Sequence, residues 1–402
     1  MDWKVLIITY NIGMQKGTEE AVDALLADVL RHKPQVVAVG MQEVAHAETM
    51  GGVPLTWHRL MVDWMTAKAG MVLLTNTFQA TNTIAVWIKR NLLGMIRKVD
   101  FRFAKNTMGG LTGHKGSIGV RIQLNGIHSI VFVDSHFVHD VIAYERRLAQ
   151  FASNHECSFP EDKSVRAAFW FGDLNFRVEK EPQEMEELIG KEQTYSVLDT
   201  HEQLRRAQTE KKAFSNYKEP EIKFRPTYRL CIGSTNYDLK RTPSWCDRVL
   251  YKSEHVTPLA YESNANVLSS DHLPVQALLL LKFVPAPTIQ WDTVFEHIPP
   301  WYSTVPLICR FQHRNNYWAK RGSYMDWVGL FPSTIDDCTT ALKWTYVMTC
   351  QSQTVQDHFY YVCEFYNVPP GNYRLGYYSL YSKCLNGLSG SIEVIEQPLA
   401  EG

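Results

Sequence analysis

Polar side chains that can handle phosphate and metal ions recur just past the ends of predicted strands in this sequence. Asn11 follows the first predicted strand and Glu43 follows the second. His136 follows a later strand, and Asp173 and Asn175 follow another. Rigid scaffolds present functional groups at such strand ends. We expect Asp173 to orient or deprotonate an attacking water molecule, as a general base does.

Two further polar segments complete the set. Asp247 begins a predicted strand, and Asp271 and His272 directly precede another. Carboxylate oxygens such as those of Glu43 and Asp271 suit Mg²⁺, which shares the rest of its coordination shell with water and phosphate. Imidazoles at His136 and His272 can donate hydrogen bonds to phosphate oxygens. A carboxylate at Asp247 can hold His272 in one tautomer and favour its charged form.

Taken singly, each of these segments also has a purely structural explanation. Gly172–Asn175 is typical of a turn, Gln42-Glu43 of a solvated strand exit, and Ser270–His272 of an Asp-capped loop. His136 also fits a histidine of the core. Their order along the chain favours a hydrolytic phosphate site. A thiolate phosphatase is excluded, because no cysteine has the arginine six residues later that such a site uses.

The elements that must position these groups predict an α/β layered domain with mixed strand order. Thr18 can cap a helix with one apolar face, and Pro34 ends it. Further helices are predicted near residues 142–154, 181–189 and 199–208. Strands are predicted from apolar and β-branched runs. These runs span residues 5–10, 36–39, 83–89, 117–124, 128–134, 167–171, 247–251 and 274–283.

The composition changes at Val284-Pro285-Ala286-Pro287, where two prolines predict a semi-stiff linker. Beyond it, aromatic and β-branched segments alternate with turn signals, which predicts a small all-β sandwich. We therefore expect two domains, residues 1–284 and residues 285–402. The three strand-like segments of the second domain span residues 345–348, 359–365 and 373–378.

Composition and charge narrow the functional classes. The 402 residues include 41 basic and 42 acidic side chains, a net charge of −1. This balance argues against a nucleic-acid coat or a polybasic membrane binder. The eight cysteines form no C-x-x-C pair, and the chain opens on a strand-like run rather than a secretory signal. We therefore expect a cytoplasmic protein with reduced thiols that is recruited transiently to membranes.

Short motifs, read in order, resemble the inositol polyphosphate 5-phosphatases of the endonuclease/exonuclease/phosphatase superfamily over about residues 3–283. Two segments, Gly172–Arg177 and Pro243–Arg248, are specific to this branch. The other segments that carry the resemblance are Tyr10–Gly13, Met41–Glu43, Gly113–Gly116, Phe132–His136 and Ser270–Val275.

The resemblance implies that the first domain is a four-layer αββα sandwich whose activity depends on Mg²⁺. Glu43 would bind the ion, with Asn11 and Asp271 in or beside its coordination shell. The number of ions, one or two, stays open at this point.

The same resemblance implies a role for five residues in the chemical step. Asp173 would activate or orient water, and Asn175 would contact the phosphate. His272, paired with Asp247, would stabilise the phosphoryl oxygens together with His136.

Substrate phosphates would meet basic side chains at two places. Lys115 would contact one phosphate. A neighbouring ring phosphate would meet a tyrosine and the basic residues near it. These residues are Tyr228, Arg229, Lys240 and Arg241.

Three departures from the family pattern concern these substrate contacts. His114 stands where asparagine is usual, Arg229 replaces a lysine, and Leu239 occupies a position before Pro243 that is usually basic. Arginine and lysine are not equivalent phosphate ligands. The departures therefore bear on the inositide preference and leave the implied metal centre intact.

The second region resembles the SKICH domain, an immunoglobulin-like β module. The resemblance is carried by Tyr324–Phe331 and Val368–Tyr377. It implies that residues 285–402 have a targeting or protein-binding role.

Together these inferences predict an enzyme that removes the 5-phosphate from an inositide. The substrate would be a lipid such as phosphatidylinositol 4,5-bisphosphate or 3,4,5-trisphosphate, or a soluble inositol polyphosphate. The expected partners are the lipid headgroup, a membrane surface contacted peripherally and a protein bound by the second domain, with no nucleic acid. Two alternatives stay open, namely another phosphoesterase or nuclease of the superfamily and a non-catalytic phosphoinositide-binding scaffold.

Overall fold

Strands dominate the first part of the chain in this computed structural model, which describes residues 1–45, 56–191, 194–355 and 358–396. The strands are β1 (Asp2–Asn11), β2 (Val36–Gln42), β3 (Met71–Gln79), β4 (Asn82–Lys89), β5 (Ile96–Thr107), β6 (Thr112–Leu124), β7 (Ser129–His136), β8 (Val165–Asp173), β9 (Asp247–Lys252), β10 (Val256–Ser263) and β11 (Val275–Lys282). They form two sheets, one in the order β10-β11-β1-β2-β4-β3 and the other in the order β5-β6-β7-β8-β9. Among the described residues, we find no helix with the length and apolarity needed to cross a bilayer.

Helices accompany both sheets. They are α1 (Glu19–His32), α2 (Thr56–Trp64), α3 (Tyr144–Asn154), α4 (Pro182–Gly190), α5 (Tyr195–Thr200) and α6 (Gln203–Thr209). As predicted, the hydroxyl of Thr18 caps α1, where it accepts a hydrogen bond from the Ala21 amide at 3.2 Å. The helix predicted at residues 199–208 is instead two helices, because the Glu202 side chain caps α6 and interrupts the run.

The first domain has the four layers that the resemblance implies. Ile7 of β1 and Phe169 of β8 belong to the apolar core between the two sheets. Leu26 of α1 packs in the core outside the first sheet, and Leu148 of α3 packs in the core outside the second. Because successive side chains of a strand point to opposite faces, strands covered on both sides need unbroken apolar runs. The order is therefore helix, sheet, sheet, helix.

Parallel strands bring the polar residues at strand ends to one edge of this sandwich. β1 and β2 are parallel neighbours, so Asn11 and the residue after β2, Glu43, lie at the same end of the first sheet. β7 and β8 are parallel neighbours in the second sheet, where His136 is paired in register with Asp173. β9 runs antiparallel to β8 and places Asp247 opposite Asp173.

An all-β region with one short helix, α7 (Tyr317–Arg321), forms the second domain. Its strands are β12 (Thr293–Phe295), β13 (Trp301–Tyr302), β14 (Leu307–His313), β15 (Trp327–Pro332), β16 (Lys343–Tyr346), β17 (Gln351–Val355), β18 (His358–Phe365), β19 (Gly371–Ser379), β20 (Cys384–Leu388) and β21 (Ile392–Ile395). They form one sheet in the order β12-β14-β18-β17 and another in the order β13-β21-β19-β15-β16, with β20 paired to β19. Leu307 and Leu375 belong to the core of this domain.

The connection at residues 284–292 differs from the predicted semi-stiff linker, because it is held against the first domain. The side-chain amide of Asn125 donates to the carbonyl of Thr288 at 3.1 Å. The backbone amide of Gln290 donates to the carbonyl of Gly94 at 2.8 Å. The prolines are visible in the sequence, whereas these remote partners are not.

A domain junction continues from this connection. Arg97 of β5 forms an ion pair with Asp292, whose side chain is 1% exposed. Leu73 of β3 donates its amide to Asp336 at 2.8 Å and accepts from Cys338 at 2.9 Å. Several side chains of the second domain belong to the same apolar core as the two sheets of the first. They are Phe331, Ile335, Cys338, Cys384 and Leu385.

Candidate active site

A buried carboxylate, Asp173 at the end of β8, lies among donors from four segments of the chain. Its Oδ2 accepts a hydrogen bond from Asn11 Nδ2 at 3.0 Å. The same oxygen lies 3.3 Å from His136 Nε2 and 3.9 Å from His272 Nε2. Its Oδ1 accepts the backbone amide of Asn175 at 3.1 Å. The structure thus brings five of the predicted site residues into one cluster.

The surroundings of Asp173 keep it ionised. Burial alone would raise its pKa, but the hydrogen bond with His136 and the charges of His272 and Lys115 reverse this effect. The net result is a pKa well below the ordinary value for aspartate. A carboxylate with so low a pKa is a weak base, and it accepts hydrogen bonds rather than protons.

The His272–Asp247 pair supplies a buried positive charge beside Asp173. His272 Nδ1 lies 2.8 Å from Asp247 Oδ2, which also accepts the hydroxyl of Thr227 at 2.7 Å. Burial lowers the pKa of His272, but the charge and the hydrogen bond of Asp247 outweigh it and raise this pKa to about 9. The Tyr228 ring packs against the imidazole at an interplanar angle of 37°, with 4.5 Å between ring centroids.

His136 and Lys115 form a second, mostly buried group at the same cluster. His136 Nε2 contacts Lys115 Nζ and lies 3.7 Å from Glu43 Oε1. Burial, and then the positive charge of Lys115, lower the pKa of His136. Burial also lowers the pKa of Lys115. His136 is therefore neutral at pH 7 and differs in charge from His272.

Oxygen atoms of three residues lie around the loop that follows β1. The Met14 amide donates to the Glu43 carbonyl at 2.8 Å, and the Gly13 amide donates to Asn11 Oδ1 at 3.0 Å. A Cβ at Gly13 would lie 3.5 Å from Asp271 Oδ1. The side chains of Glu43 and Asp271 are 37% and 27% exposed. Accessible carboxylates are the ligands that a hard divalent cation such as Mg²⁺ prefers, so the side chains of Glu43 and Asp271 are candidates to hold one.

A second set of donor atoms fits a cation less well. Atoms of Asp173, Asp247 and His272 lie within 4.8 Å of one another. His272 Nδ1 is engaged with Asp247, and its raised pKa keeps the ring protonated at neutral pH. A histidine must be neutral to ligate a metal, so this set suits phosphate contact rather than metal binding.

Three of the predicted substrate residues, Arg229, Lys240 and Arg241, lie around Asp238. Arg229 Nε is 3.3 Å from Asp238 Oδ2 and 3.4 Å from Asp271 Oδ2. Lys240 and Arg241 are exposed, and their backbone amides donate to Asp238 at 3.2 and 3.4 Å. Arg229 therefore connects Asp271, beside His272, to the turn that carries Lys240 and Arg241, which we call the basic turn. The carboxylates of Asp238 and Asp271 share the positive charge of Arg229.

Two residues in the cluster make contacts that the sequence did not predict, namely Arg177 and Thr227, the latter in the segment that the resemblance implies for the ring phosphate. Arg177 Nε donates to the Asn175 carbonyl at 3.2 Å, and its guanidinium lies 4.5 Å from the Tyr228 ring centroid. Thr227 donates to Asp247. Arg177 belongs to a family motif and Thr227 precedes Tyr228, but their aromatic and carboxylate partners are distant in the sequence. Composition alone therefore gives no signal for these contacts.

Family models match both regions of the chain. The model described as Endonuclease/Exonuclease/phosphatase family 2 matches residues 8–278. The SKICH domain model matches residues 293–394.

Curated relatives agree with these matches. A polyphosphatidylinositol phosphatase, INP53, of Saccharomyces cerevisiae is 31% identical over 265 residues, which are 61% of this chain and 24% of that protein. The type II inositol 1,4,5-trisphosphate 5-phosphatase of Mus musculus is 29% identical over 305 residues, 69% of this chain and 29% of that protein. Phosphatidylinositol 4,5-bisphosphate 5-phosphatase A of Rattus norvegicus is 24% identical and covers 98% of this chain and 42% of that protein. The chain thus spans less than half the length of these relatives.

Two solved structures share the fold of the first domain. The inositol polyphosphate 5-phosphatase domain of SPsynaptojanin, in complex with inositol (1,4)-bisphosphate and calcium ion, has a TM-score of 0.62 and 22% identity over 70% of this chain and 84% of that one. The nitrophorin of Cimex, a ferrous NO complex, has a TM-score of 0.60 and 25% identity over 70% of this chain and 99% of that one. The same sandwich therefore carries unrelated chemistry, and the side chains decide the function.

Proposed function

The chain belongs to endonuclease/exonuclease/phosphatase family 2, and from that premise we propose that it is a metal-dependent phosphatase that removes the 5-phosphate from inositides. The substrates proposed are phosphatidylinositol 4,5-bisphosphate or 3,4,5-trisphosphate and soluble inositol polyphosphates. The names of the curated relatives support this substrate class. The observation that carries the proposal is the charged His272–Asp247 pair beside ionised Asp173, next to two accessible carboxylates.

The metal proposed is Mg²⁺. Glu43 and Asp271 would hold it, with Asn11 in or beside its shell, because the segments that carry these three residues meet at the loop that follows β1. When bound, a divalent cation neutralises phosphoryl charge and assists the leaving oxygen. The 5-phosphatase domain of SPsynaptojanin, which was solved with calcium ion, supports a divalent cation in this family.

The chemical step would depend on positioning and charge. Asp173, ionised and held by Asn11, would orient a water molecule for in-line attack on the phosphorus. His272 would donate from Nε2 to a phosphoryl oxygen while Asp247 stabilises its charge. Neutral His136 would complete the contacts to the phosphate.

Asn175 and the basic residues would bind the remaining oxygens. Asn175 Nδ2 donates one hydrogen to the Phe137 carbonyl at 3.0 Å, and an amide nitrogen carries a second hydrogen for the phosphate. Lys115 would contact a substrate phosphate at the cluster. Tyr228, with Arg229, Lys240 and Arg241, would meet the neighbouring ring phosphate.

Phosphate release tests the proposal directly. The full chain is incubated with phosphatidylinositol 4,5-bisphosphate in Mg²⁺ and again with a chelator, and we expect turnover only with the metal. Asp173→Asn should lower the rate by about 10²-fold or more, because it removes the carboxylate that orients the attacking water, and misplacement of a reacting group by about 1 Å costs that much. Glu254→Gln, an exposed carboxylate past the opposite end of β9, is the matched control. Equal rates with and without chelator would overturn the metal role.

The same variant separates the alternative functions. A non-catalytic scaffold would bind inositide vesicles and release no phosphate in any variant, whereas we expect Asp173→Asn to keep binding and lose turnover. A nuclease would cleave DNA in competition with inositide. Preference for DNA in that competition would replace the phosphatase proposal.

The second region would direct the enzyme to its place of action. We propose that residues 1–284 carry the catalysis and that residues 285–402 bind a protein partner. Contact with a membrane surface would be peripheral and transient, from the cytoplasmic side. Vesicle co-sedimentation of the full chain with and without phosphoinositide tests this contact, and equal sedimentation in both would contradict headgroup recognition.

A further inference from the structure

Three of the eight cysteines meet inside the second domain, far along the chain from the candidate active site. Cys309 of β14 and Cys363 of β18 are opposite each other in the antiparallel register. Cys350 follows the short 3₁₀ turn Val347–Thr349 that leads into β17. The thiol of Cys363 contacts the thiols of both Cys309 and Cys350. All three are free thiols in this structure.

Solvent reaches this thiol cluster from one side. Cys309 is 0% exposed and Cys363 is 5% exposed, so both are sealed in the core of the domain. Cys350 is half-buried and packs at the edge of that core. A small solute from solvent therefore meets the sulfur of Cys350 before the other two.

We propose that Cys350 and Cys363 form a redox site, which a hydroperoxide converts from two thiols to a disulfide. The pairing follows from two observations that do not depend on the proposed enzymatic function. One is the hydrogen-bonding contact between the two thiols, which lie next to the Gln351–Val362 pair in the antiparallel register of β17 and β18. The other is the partial exposure of Cys350, which makes it the sulfur that the oxidant attacks.

The reaction balances in two steps. The Cys350 sulfur attacks an oxygen of the hydroperoxide, the O–O bond breaks, and a sulfenic acid and one alcohol molecule (or water from hydrogen peroxide) form. The Cys363 sulfur then attacks the Cys350 sulfur, the S–O bond breaks, and water leaves. The two thiols lose two electrons and two protons, and the hydroperoxide gains them.

Cys309 is a poorer partner despite its position opposite Cys363. Its sulfur is fully buried, and its thiol points to the Leu307 carbonyl at 3.7 Å. Cys309 is therefore the least accessible of the three thiols to an oxidant. The first disulfide should therefore join Cys350 to Cys363 and leave Cys309 reduced.

The surroundings of Cys350 and Cys363 determine how fast this pair is oxidised. The hydrogen bond with Cys363, and then burial, raise the pKa of Cys350. The hydrogen bond with Cys309, together with burial, raises the pKa of Cys363 although the contact with Cys350 lowers it, so both thiols are protonated at neutral pH. Thiols react as thiolates, so we expect slow oxidation relative to an exposed cysteine. Cys231, an exposed thiol of the first domain, is the internal reference and should be oxidised first without forming this link.

The positions of lysine and arginine in the sequence distinguish a Cys350–Cys363 disulfide from a Cys309–Cys363 disulfide after digestion with trypsin. Residues 344–374 contain no lysine or arginine before Arg374, so trypsin leaves Cys350 and Cys363 on one peptide. A disulfide between them lowers the mass of that peptide by two hydrogens. A disulfide between Cys309 and Cys363 instead joins two separate peptides, because Arg310 follows Cys309.

The experiment uses the folded full chain treated with hydrogen peroxide, then alkylated, digested without reductant and measured by mass spectrometry. We expect the single-peptide product in the wild type and in Cys309→Ser and Cys231→Ser, and its loss in Cys350→Ser. A cross-linked pair of peptides that contains Cys309 would overturn the proposal. It would also be overturned if Cys350 and Cys363 were still alkylated after Cys231 had been completely oxidised. The wild-type measurement needs no variant, so misfolding of a variant leaves this test intact. Phosphate release is not part of the readout, so failure here is distinct from failure of the proposed enzyme.

Discussion

At the scale of single residues, two neighbouring histidines in one cluster hold different charges. His272 has a pKa raised to about 9 because it faces Asp247, whereas burial and Lys115 lower the pKa of His136. Two titratable groups whose surroundings separate their pKa values can take different roles at one pH. We therefore assign the cationic contact with phosphate to His272.

This assignment predicts the alkaline side of the pH–rate profile. His272 is protonated below about pH 9, so the phosphatase rate should fall as pH rises through that value. Asp247→Asn removes the charge that raises this pKa, so the fall should begin at lower pH and the rate at pH 8 should drop by about 10²-fold or more. Rates measured from pH 6 to 10 check this.

Thr227→Val is the matched control for this profile. It removes one hydrogen bond to Asp247 and keeps the carboxylate. Because the charge that raises the pKa of His272 stays in place, the alkaline fall should remain near pH 9. If the rate of Asp247→Asn still begins to fall only near pH 9, the role of His272 is contradicted.

A second prediction concerns the basic turn. Asp238 shares the charge of Arg229 with Asp271, so Asp238→Ala should free Arg229 for a ring phosphate. Partly exposed ion pairs contribute up to about 1 kcal/mol, so KM should fall by up to about fivefold. Substrates with and without a phosphate beside the 5-phosphate are compared by phosphate release.

Only the substrate with the neighbouring phosphate should respond. Glu221→Ala, which breaks an exposed pair with Lys223 elsewhere on the surface, is the control. A higher KM in Asp238→Ala would show instead that Asp238 positions Arg229 for binding.

The sequence motifs located most of the cluster, because Asp173, Asn175 and His272 stand in short segments with characteristic neighbours. The motifs did not predict the contacts of two residues in the cluster. Arg177 and Thr227 act through hydrogen bonds and ring contacts, and the rings and carboxylates they meet come from other segments. Such contacts depend on the fold, and residue type alone gives no evidence of them.

At the scale of elements, β9 is held at its start by a buried ion cluster. Arg248, next to Asp247, donates to Glu219 Oε1 at 2.7 Å and to Glu202 Oε1 at 3.1 Å. All three charged side chains are 0% exposed. This cluster fixes β9 to the loops before α6 and after it, and so fixes the position of Asp247.

Removal of the arginine should therefore destabilise the domain. Arg248→Met leaves two carboxylates buried without their cation, and the free energy of unfolding should fall by about 3–5 kcal/mol. Arg102→Met, which breaks a partly exposed pair with Glu161, should cost less than about 1 kcal/mol. Denaturant unfolding of the full chain compares them, and equal losses would contradict the difference between buried and exposed pairs.

The sequence was least informative for edge strands. β5 carries Arg97, Lys98, Asp100 and Arg102, and many of its residues are only partly buried, so it lacks the apolar run that marks β1 or β8. It forms a strand because it pairs with β6 and contacts side chains of the second domain. Central strands, covered on both faces, were predicted because burial requires their composition.

At the scale of the whole molecule, the two domains share one apolar core and an ion pair at the domain junction. Arg97→Ala removes the half-buried cation that pairs with Asp292, whose side chain is 1% exposed. A buried carboxylate would be left without its partner, which costs more than the roughly 1 kcal/mol of an exposed pair, so the junction should loosen. We expect the melting temperature to fall and proteolysis within residues 284–292 to increase.

Arg310→Ala, which breaks a more exposed pair with Glu296 in the second domain, is the control. It should leave both the melting temperature and the cleavage pattern close to the wild type. Unchanged cleavage in Arg97→Ala would show that the backbone hydrogen bonds of Leu73 hold the junction without the ion pair.

The junction has a geometric consequence for any partner of the second domain. Leu73 hydrogen-bonds to Asp336 and Cys338 across it, so the second domain is tied directly to a strand of the first. The proposed protein partner, bound by the second domain, would therefore fix the direction in which the candidate active site faces. The place where that partner is anchored would then determine which of the proposed lipid headgroups come within reach.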